Sequence, residues 1–207
     1  MKKFLIIACA VMLVTSVSLA GKVENYSMTQ VTKSAESNQE MTQKYFVSGD
    51  KVRIEMSSPD PKMGLGMTVI ADQKANHMYM MYPDEKIYWE SPMEDAEMKV
   101  MMEHFKNART IEKLGTEKIL GEKCTKEKVE TEMNIMNQEI KTVNTVWKCD
   151  KYEFPLKIIG DSGAVTEVTE IKEGKQDPKL FVVPKDYKKV ANMMEAMKIK
   201  MQKKNNK

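Results

Sequence analysis

The sequence is poor in the residues that mark several protein classes. Its 207 residues include 9 glycines and 7 prolines, too few for a collagen-like or Pro/Gly-rich low-complexity chain. The formal net charge is only +3, which argues against a dedicated nucleic-acid binder, because such proteins carry a strong basic excess. Hydrophobic residues reach 42%, enough to build a core, so we expect a folded domain. The unusual abundance is methionine, with 20 residues against 5 phenylalanines.

Sequence motifs of known catalytic sites are also missing. The chain has no Gly-rich phosphate loop, no G-x-S-x-G and no H-E-x-x-H. Its two histidines, His77 and His104, are not spaced as a metal pair. Catalysis needs a positioned nucleophile, base and oxyanion-binding group, and no such set can be identified. We therefore predict a non-enzymatic protein that needs no cofactor.

The amino-terminal segment predicts export. Lys2-Lys3 precede an apolar run over residues 4–14, and Ser18-Leu19-Ala20 supplies small residues at the positions that a signal peptidase recognises. We expect residues 1–20 to be a signal peptide, cleaved near Ala20, which makes the mature protein periplasmic or secreted. A membrane anchor is the alternative, but spanning helices need about 20 apolar residues. Cys9 lies too early to be the lipid-modified first residue of a lipoprotein.

Two cysteines, Cys124 and Cys149, remain after cleavage, and in an oxidising compartment they predict a disulfide. Strands are predicted over residues 118–131 and 140–149, with a turn near Met136-Asn137. A hairpin folded about that turn places 124 directly opposite 149, within disulfide reach. Closing this loop would contribute roughly 3.5 kcal/mol. A redox-active pair is the alternative, although no C-x-x-C spacing is present.

The remaining pattern predicts an antiparallel meander of short strands rather than βαβ units. Ser48-Gly49-Asp50 is a tight turn between two of these strands. The predicted strands cover residues 26–32, 40–47, 51–56, 67–71, 77–82, 86–90, 156–159, 165–172 and 180–183.

Two helices are predicted. Ser91-Pro92-Met93-Glu94 is typical of a capping box, and the helix after it has an apolar stripe. The stripe consists of Met98, Met101, Met102 and Phe105. A second helix closes the chain with a stripe of Val190, Met193, Met194, Met197 and Met201. Residues 188–207 hold seven Lys and one Glu, so this basic helix could lie on an anionic membrane, but docking of its methionines on the sheet is favoured.

The methionines permit two interpretations. Thioethers and imidazoles bind Cu(I), so His77, Met81 and His104 are alternative metal ligands. In a strand, however, Met78 and Met80 share one face while Met81 points the other way with His77. Methionine also fills irregular apolar space, which favours packing or ligand lining. The apolar site is therefore predicted to combine Met78, Met80 and Trp89 with Met98, Met101, Met102 and Phe105.

Several strings, taken in order, resemble the LolA/LolB-like lipoprotein-carrier superfamily, and within it an uncharacterised family of small periplasmic proteins. The strings are residues 69–83 (VIADQKANHMYMMYP), Gly121-Glu122-Lys123-Cys124, Val146-Trp147, Phe154-Pro155-Leu156-Lys157, and Phe181-Val182-Val183-Pro184 with Tyr187. The resemblance covers about residues 26–190. It implies an α+β fold, a strongly curved antiparallel half-barrel whose concave face is covered by helices around an apolar cavity. LolA-type carriers hold the covering helix with an Arg near the second-to-third strand turn, whereas the nearest here is Arg53, inside a strand.

The resulting organisation is a signal peptide over residues 1–20, a half-barrel domain over 21–190, and a basic Met-rich tail over 191–207. The predicted function is binding or carriage of a lipid-like ligand, with lipid, an acyl chain or a lipoprotein as partner and an envelope protein as a possible second partner. Membrane contact is expected to be peripheral at most. The alternatives are a periplasmic copper-binding protein and an envelope interaction module without a small ligand.

Overall fold

The computed structural model describes residues 23–37, 39–58, 66–93, 108–135, 138–152 and 154–205. In these ranges the chain forms twelve strands and one α-helix. The strands are β1 (Asn25–Lys33), β2 (Glu40–Ser48), β3 (Lys51–Ser57), β4 (Met67–Asp72), β5 (His77–Tyr82), β6 (Ile87–Pro92), β7 (Arg109–Ile119), β8 (Glu122–Ile135), β9 (Gln138–Cys149), β10 (Pro155–Ile159), β11 (Val165–Glu173) and β12 (Lys188–Lys189). The helix is α1 (Met193–Asn205).

All twelve strands belong to one open, mixed sheet in the order β12-β6-β5-β4-β3-β2-β1-β11-β10-β9-β8-β7. Two antiparallel meanders, β1 to β6 and β7 to β11, are joined because β1 pairs with β11, while β12 pairs parallel to β6. The expected half-barrel with helices over its concave face is wrong. The sheet does not close, since β7 and β12 are its outer strands, and the described part of the chain has a single α-helix.

The main core lies where the two meanders meet. Tyr26 and Met28 of β1 stand directly opposite Val47 and Tyr45 of β2, and all four are buried. Residues that face each other across a ladder share one side of the sheet, so this side is packed while the intervening residues are more exposed. Leu156 of β10 completes the same cluster from the second meander.

The cysteine hairpin is confirmed. Cys124 and Cys149 form a disulfide, and they are register partners in the β8–β9 ladder, as a turn near residues 136–137 requires. Both cysteines are buried against Trp147 and Leu156 in the main core. The cross-link therefore joins two neighbouring strands of the second meander where they contribute to the main core.

Two strand predictions are wrong. Residues 118–131 are divided between β7 and β8 by a two-residue turn at Leu120-Gly121, where both residues have positive φ values, 51° and 82°. The expected strand at 180–183 is instead a 3-10 helix, Pro178–Phe181, started by Asp177, whose carboxylate accepts a hydrogen bond from the Lys179 amide. Proline at its start has a backbone angle suited to that turn and lacks the donor that a strand would use.

The helix predicted to begin at Ser91-Pro92 does not begin there, and the rest of its predicted length lies outside the described residues. Ser91 and Pro92, expected to be its cap and first residue, are instead the last residues of β6, paired with Met78 and His77. Met98, Met101, Met102, His104 and Phe105 also lie outside the described ranges. The same holds for the signal peptide.

The closing helix α1 is confirmed, but of the predicted stripe only Val190 is buried, and the methionines do not form the packing face. Asn192 accepts a hydrogen bond from the Glu195 amide, and the Glu195 carboxylate accepts one from the Ala191 amide, which is a reciprocal cap. The buried face carries Ala196 and Ile199, which pack with Val190 against β6. The residues of the expected stripe that remain exposed are Met193, Met194 and Met201. Small Ala196 permits the close approach, which long methionines would prevent.

Candidate apolar binding surface

The strongest candidate site is a methionine-rich patch on one side of β3 to β6, which we call the methionine face. Strand register places Met56 opposite Met67, and Met80 lies between Val69 and Trp89 on its two neighbouring strands. The members of the packed cluster are Ile54, Met56, Met67, Val69, Met78, Met80 and Met93. Alternation along each strand is sufficient to bring all of them to the same side except Met93, which follows the end of β6.

The methionine face differs in composition from the main core. Five of its seven described members are methionine, against one of the seventeen described residues that form the main core. A core that specifies one arrangement uses side chains with defined rotamers, whereas methionine is flexible and polarisable and adapts to different shapes. The segregation of methionines therefore marks a deformable apolar cluster, in which Met56, Val69 and Met78 are buried, beside a main core with which it shares Ile54.

Trp89 and helix α1 bound the methionine face at β6. Trp89 is buried with Val190 and Ala196, and its ring centroid lies 5.5 Å from that of Tyr82. Lys200 Nζ lies 4.1 Å from the Tyr82 ring centroid, close enough for a cation–π contact. The Lys203 ammonium donates to the Asp84 carbonyl oxygen in the β5–β6 turn. Lys200 and Lys203 therefore hold α1 against β6, and the methionine face lies next to the helix.

A small polar cluster interrupts the apolar side at β1 and β2. Tyr45 O–H donates to Gln43 Oε1 at 2.9 Å, and Gln30 Nε2 lies 3.4 Å from the same oxygen. All three side chains are buried, and burial, together with nearby Tyr26, raises the pKa of the Tyr45 phenol far above its usual range. Within the described part of the chain, Gln43 Nε2 is buried with no hydrogen-bond partner. Gln43 faces Met56 across the β2–β3 ladder, so this donor lies at the margin of the methionine face.

The structure brings together only part of the site predicted from the sequence. Met78 and Met80 lie in the same packed cluster, and Trp89 stands opposite Met80, so these three are neighbours. Sequence analysis did not identify Gln43. A buried amide in an alternating strand has no sequence signature, because its partners come from β1 and from two residues along β2.

Two of the alternative metal ligands, His77 and Met81, stand on the other side of the sheet, and His104 lies outside the described residues. Met81 is packed beneath Phe181 and beside Ile70. His77 Nε2 lies 3.5 Å from Glu90, which also pairs with Lys189 at 2.8 Å and has a pKa lowered chiefly by that hydrogen bond to Lys189. No group of three or more His, Cys, Asp or Glu side chains suited to a metal ion occurs among the residues described. Copper binding by His77, Met81 and His104 stays a prediction.

That other side is covered by residues 178–187, which we call the covering segment. Phe181 packs on Ile70 and Met81, with Leu180, Val183 and Tyr187 around them. Arg53 donates from Nη1 to the Leu180 carbonyl oxygen at 3.0 Å and from Nε to Glu55 at 2.8 Å. An arginine in a strand therefore fixes a segment across the face opposite the methionines.

A surface depression of about 570 Å³ lies among the turns at the ends of β1 to β4. Its lining is polar and charged, and includes Glu24, Asp50, Lys51, Asp72 and Lys74. Such a lining suits water rather than an acyl chain. We therefore assign the candidate site to the methionine face and not to this depression.

Comparisons with known proteins give a family and a fold. Residues 27–149 match the model of the family described as "Domain of unknown function (DUF4412)". No curated protein matches the sequence significantly. No helix in the described ranges is both long and apolar enough to cross a membrane.

Among solved structures, an uncharacterized conserved protein from Thermus thermophilus is similar with a TM-score of 0.54 and 15% identity, over 89% of this chain and 99% of that one. The MucA/MucB complex of Pseudomonas aeruginosa matches with a TM-score of 0.48 and 11% identity, over 88% of this chain and 62% of that one. Mycobacterium tuberculosis lipoprotein LppX matches with a TM-score of 0.40 and 12% identity, over 80% of this chain and 94% of that one. The Thermus similarity shows a shared fold, and the resemblance to LolA/LolB-like carriers stays a prediction.

Proposed function

We propose that this chain, which belongs to the DUF4412 family, binds an apolar acyl ligand on its methionine face. The main support for this proposal is the concentration of five methionines in one packed cluster, next to a core that almost lacks them. Flexible thioether side chains can repack around ligands of different lengths at little cost in strain. The protein acts by binding and not by catalysis.

The energy available from such binding is sufficient. Each buried methylene contributes about 0.8 kcal/mol, so eight of them supply roughly 6 kcal/mol before the costs of association. Contacts to polarisable sulfur add dispersion attraction. A longer acyl chain with about fifteen methylenes supplies roughly 12 kcal/mol before the same costs, which is enough for a dissociation constant in the micromolar range.

A fluorescent fatty-acyl probe tests this proposal. Met80→Glu places a charge in the centre of the methionine face, opposite Trp89, and should abolish saturable probe binding, because the charge would have to be desolvated by the ligand. Met80→Leu keeps the apolar volume and should retain binding. Met194→Glu is the matched control, since Met194 is 72% exposed on α1. Circular dichroism establishes that each variant is folded.

Two results would contradict the proposal. Wild-type protein that shows no saturable uptake of any acyl probe at micromolar concentration has no such site. Equal loss of binding in Met80→Glu and Met194→Glu would place the ligand elsewhere. Met101→Lys tests in the same assay whether Met98, Met101, Met102 and Phe105 also contribute.

The proposed place of action is the periplasm or the exterior, and lipid, a lipoprotein or an envelope protein is the proposed partner. Intact-mass analysis of the exported protein should give a chain that begins at Gly21. It should show no thiol that reacts with an alkylating reagent before reduction, since Cys124 and Cys149 are joined. An unprocessed amino terminus on the exported protein would contradict signal-peptide cleavage.

A further inference from the structure

The buried amide of Gln43 is the one polar donor without a partner that the described residues place at the margin of the methionine face. Gln43 is 1% exposed, and its Oε1 already accepts from Tyr45 and Gln30, which leaves the Nε2 group as a donor only. A buried donor that lacks an acceptor is costly compared with one in water, and native proteins contain few of them. An acceptor supplied by a ligand would remove this cost.

The surroundings of Gln43 restrict the charge of that acceptor. Its cross-strand partners are Gln30 and Met56, and its neighbours two residues away on the same side of β2 are Met41 and Tyr45. None of these side chains carries a charge at neutral pH, and the pKa of Tyr45 is raised further by burial. A carboxylate placed here would be a buried charge without a counter-ion, which proteins avoid.

The ligand must therefore offer Gln43 Nε2 a hydrogen-bond acceptor and must bring no charge, and a neutral carbonyl oxygen does both. The carbonyl of an ester accepts a hydrogen bond, carries no charge, and is attached directly to an acyl chain that can extend from Met56 along the methionine face. We infer that Gln43 is the polar anchor of the binding surface and that the preferred ligand is an acyl ester rather than a free fatty acid. This inference rests on the proposed function and names the class of ligand for that same surface.

Three pyrene-labelled probes of equal chain length test the inference: the free dodecanoic acid, its methyl ester, and the hydrocarbon without a carbonyl. In wild-type protein at neutral pH the ester should bind about tenfold more tightly than the hydrocarbon, the value of one well-placed hydrogen bond. The acid should bind more weakly than the ester, because its carboxylate must lose water without gaining a counter-ion.

Gln43→Met keeps the length of the side chain and removes the amide. In this variant the ester should lose its advantage while the hydrocarbon keeps its wild-type affinity. Tyr45→Phe is the matched control, because it removes a partner of Gln43 Oε1 and leaves the Nε2 donor in place, so the preference for the ester should persist.

The outcomes separate the anchor from the binding surface. Equal wild-type affinity for all three probes, or an equal loss of all three in Gln43→Met, would overturn the anchor while leaving the proposed function intact. Absence of binding by every probe would overturn both.

Acyl esters occur both in phospholipids and in diacylated lipopeptides, which share this chemistry. Displacement of the bound methyl ester by a lysophosphatidylglycerol, or by a synthetic diacylated lipopeptide, identifies the source. Displacement by neither would contradict the assignment of the ligand as an ester.

Discussion

Arg53 lies on β3 with its guanidinium group beneath the covering segment. Its donation to the Leu180 carbonyl oxygen joins residues that are 127 positions apart. The side chain is largely buried, and Glu55 accepts from a second nitrogen of the same group. Hydrogen bonds from a charged donor in such a place contribute more than those at an open surface.

Replacing Arg53 with Met should lower the free energy of unfolding by about 1–2 kcal/mol, because the carbonyl loses its charged donor while most of the aliphatic packing remains. Trypsin should also cleave faster at Lys179, within the covering segment. Urea titration and timed proteolysis measure the two effects. Arg109→Met is the control, since Arg109 is an exposed arginine paired with Glu130, and we expect no measurable change. Unaltered proteolysis of Arg53→Met would show that Arg53 does not hold this segment.

At the level of single residues, the sequence predicts chemistry only where a local pattern exists. The pairing of Cys124 with Cys149 follows from compartment and hairpin arithmetic, and the structure confirms it. Gln43 and Arg53 have no such pattern, because what matters is which distant residue each one meets. Their contacts depend on the order of the strands, which no local periodicity specifies.

Helix α1 shows how an element can be predicted while its orientation is not. The spacing of Met193, Met194, Met197 and Met201 predicts a helix correctly, yet Ala196 is fully buried and Met194 is largely exposed. The spacing of apolar residues predicts that the helix has an apolar face, but several faces of this helix carry apolar atoms, so the spacing does not identify the one that packs. The close approach to Trp89 selects the one with the smallest side chain.

Ala196→Arg should detach α1 from β6, because no space exists for a long charged side chain at a fully buried alanine. The midpoint of thermal unfolding should fall by several degrees, and amide exchange should accelerate over residues 193–205. Met194→Arg introduces the same side chain on the exposed face of the same helix and should leave both measurements unchanged. Equal behaviour of the two variants would mean that Ala196 does not form the docking face.

Strands were predicted most accurately in the first meander. The strand at His77–Tyr82 matches its prediction, and those around Gly49-Asp50 differ by a residue, because alternation and turn residues agree there. Of β7, only its last two residues were predicted, as the start of the strand at 118–131, since its side chains are almost all exposed and it has no alternation imposed by a core. The turn at Leu120-Gly121 was missed because leucine seldom adopts a positive φ.

At the scale of the whole molecule, the pairing of β1 with β11 brings together two strands that lie far apart in the sequence. The match to the family model ends at Cys149, before β10 and β11, yet Leu156 and Val168 from those strands are part of the main core. The portion of the chain that carries the family resemblance is therefore not expected to fold by itself.

A chain ended after Cys149 should lack cooperative unfolding and should aggregate, because β1 would present a free edge and the core would lose its second half. A chain ended after Val190 loses only α1 and should remain folded, though less stable. Size-exclusion chromatography and urea titration distinguish the two. A monomeric, cooperatively unfolding chain ended after Cys149 would show that the seam between β1 and β11 is dispensable.

The pairing of β1 with β11 also determines when the sheet can be completed during synthesis or export. Thr32 and Thr166, whose hydroxyl groups lie 2.9 Å apart across this seam, are 134 positions apart. A chain that emerges from a ribosome or a translocation pore amino end first exposes β1 long before its partner exists. Until then the edge of β1 is open to any other extended chain, and contacts of such large sequence separation form slowly. The interval between the emergence of β1 and that of β11 is therefore the period in which this protein most needs a chaperone.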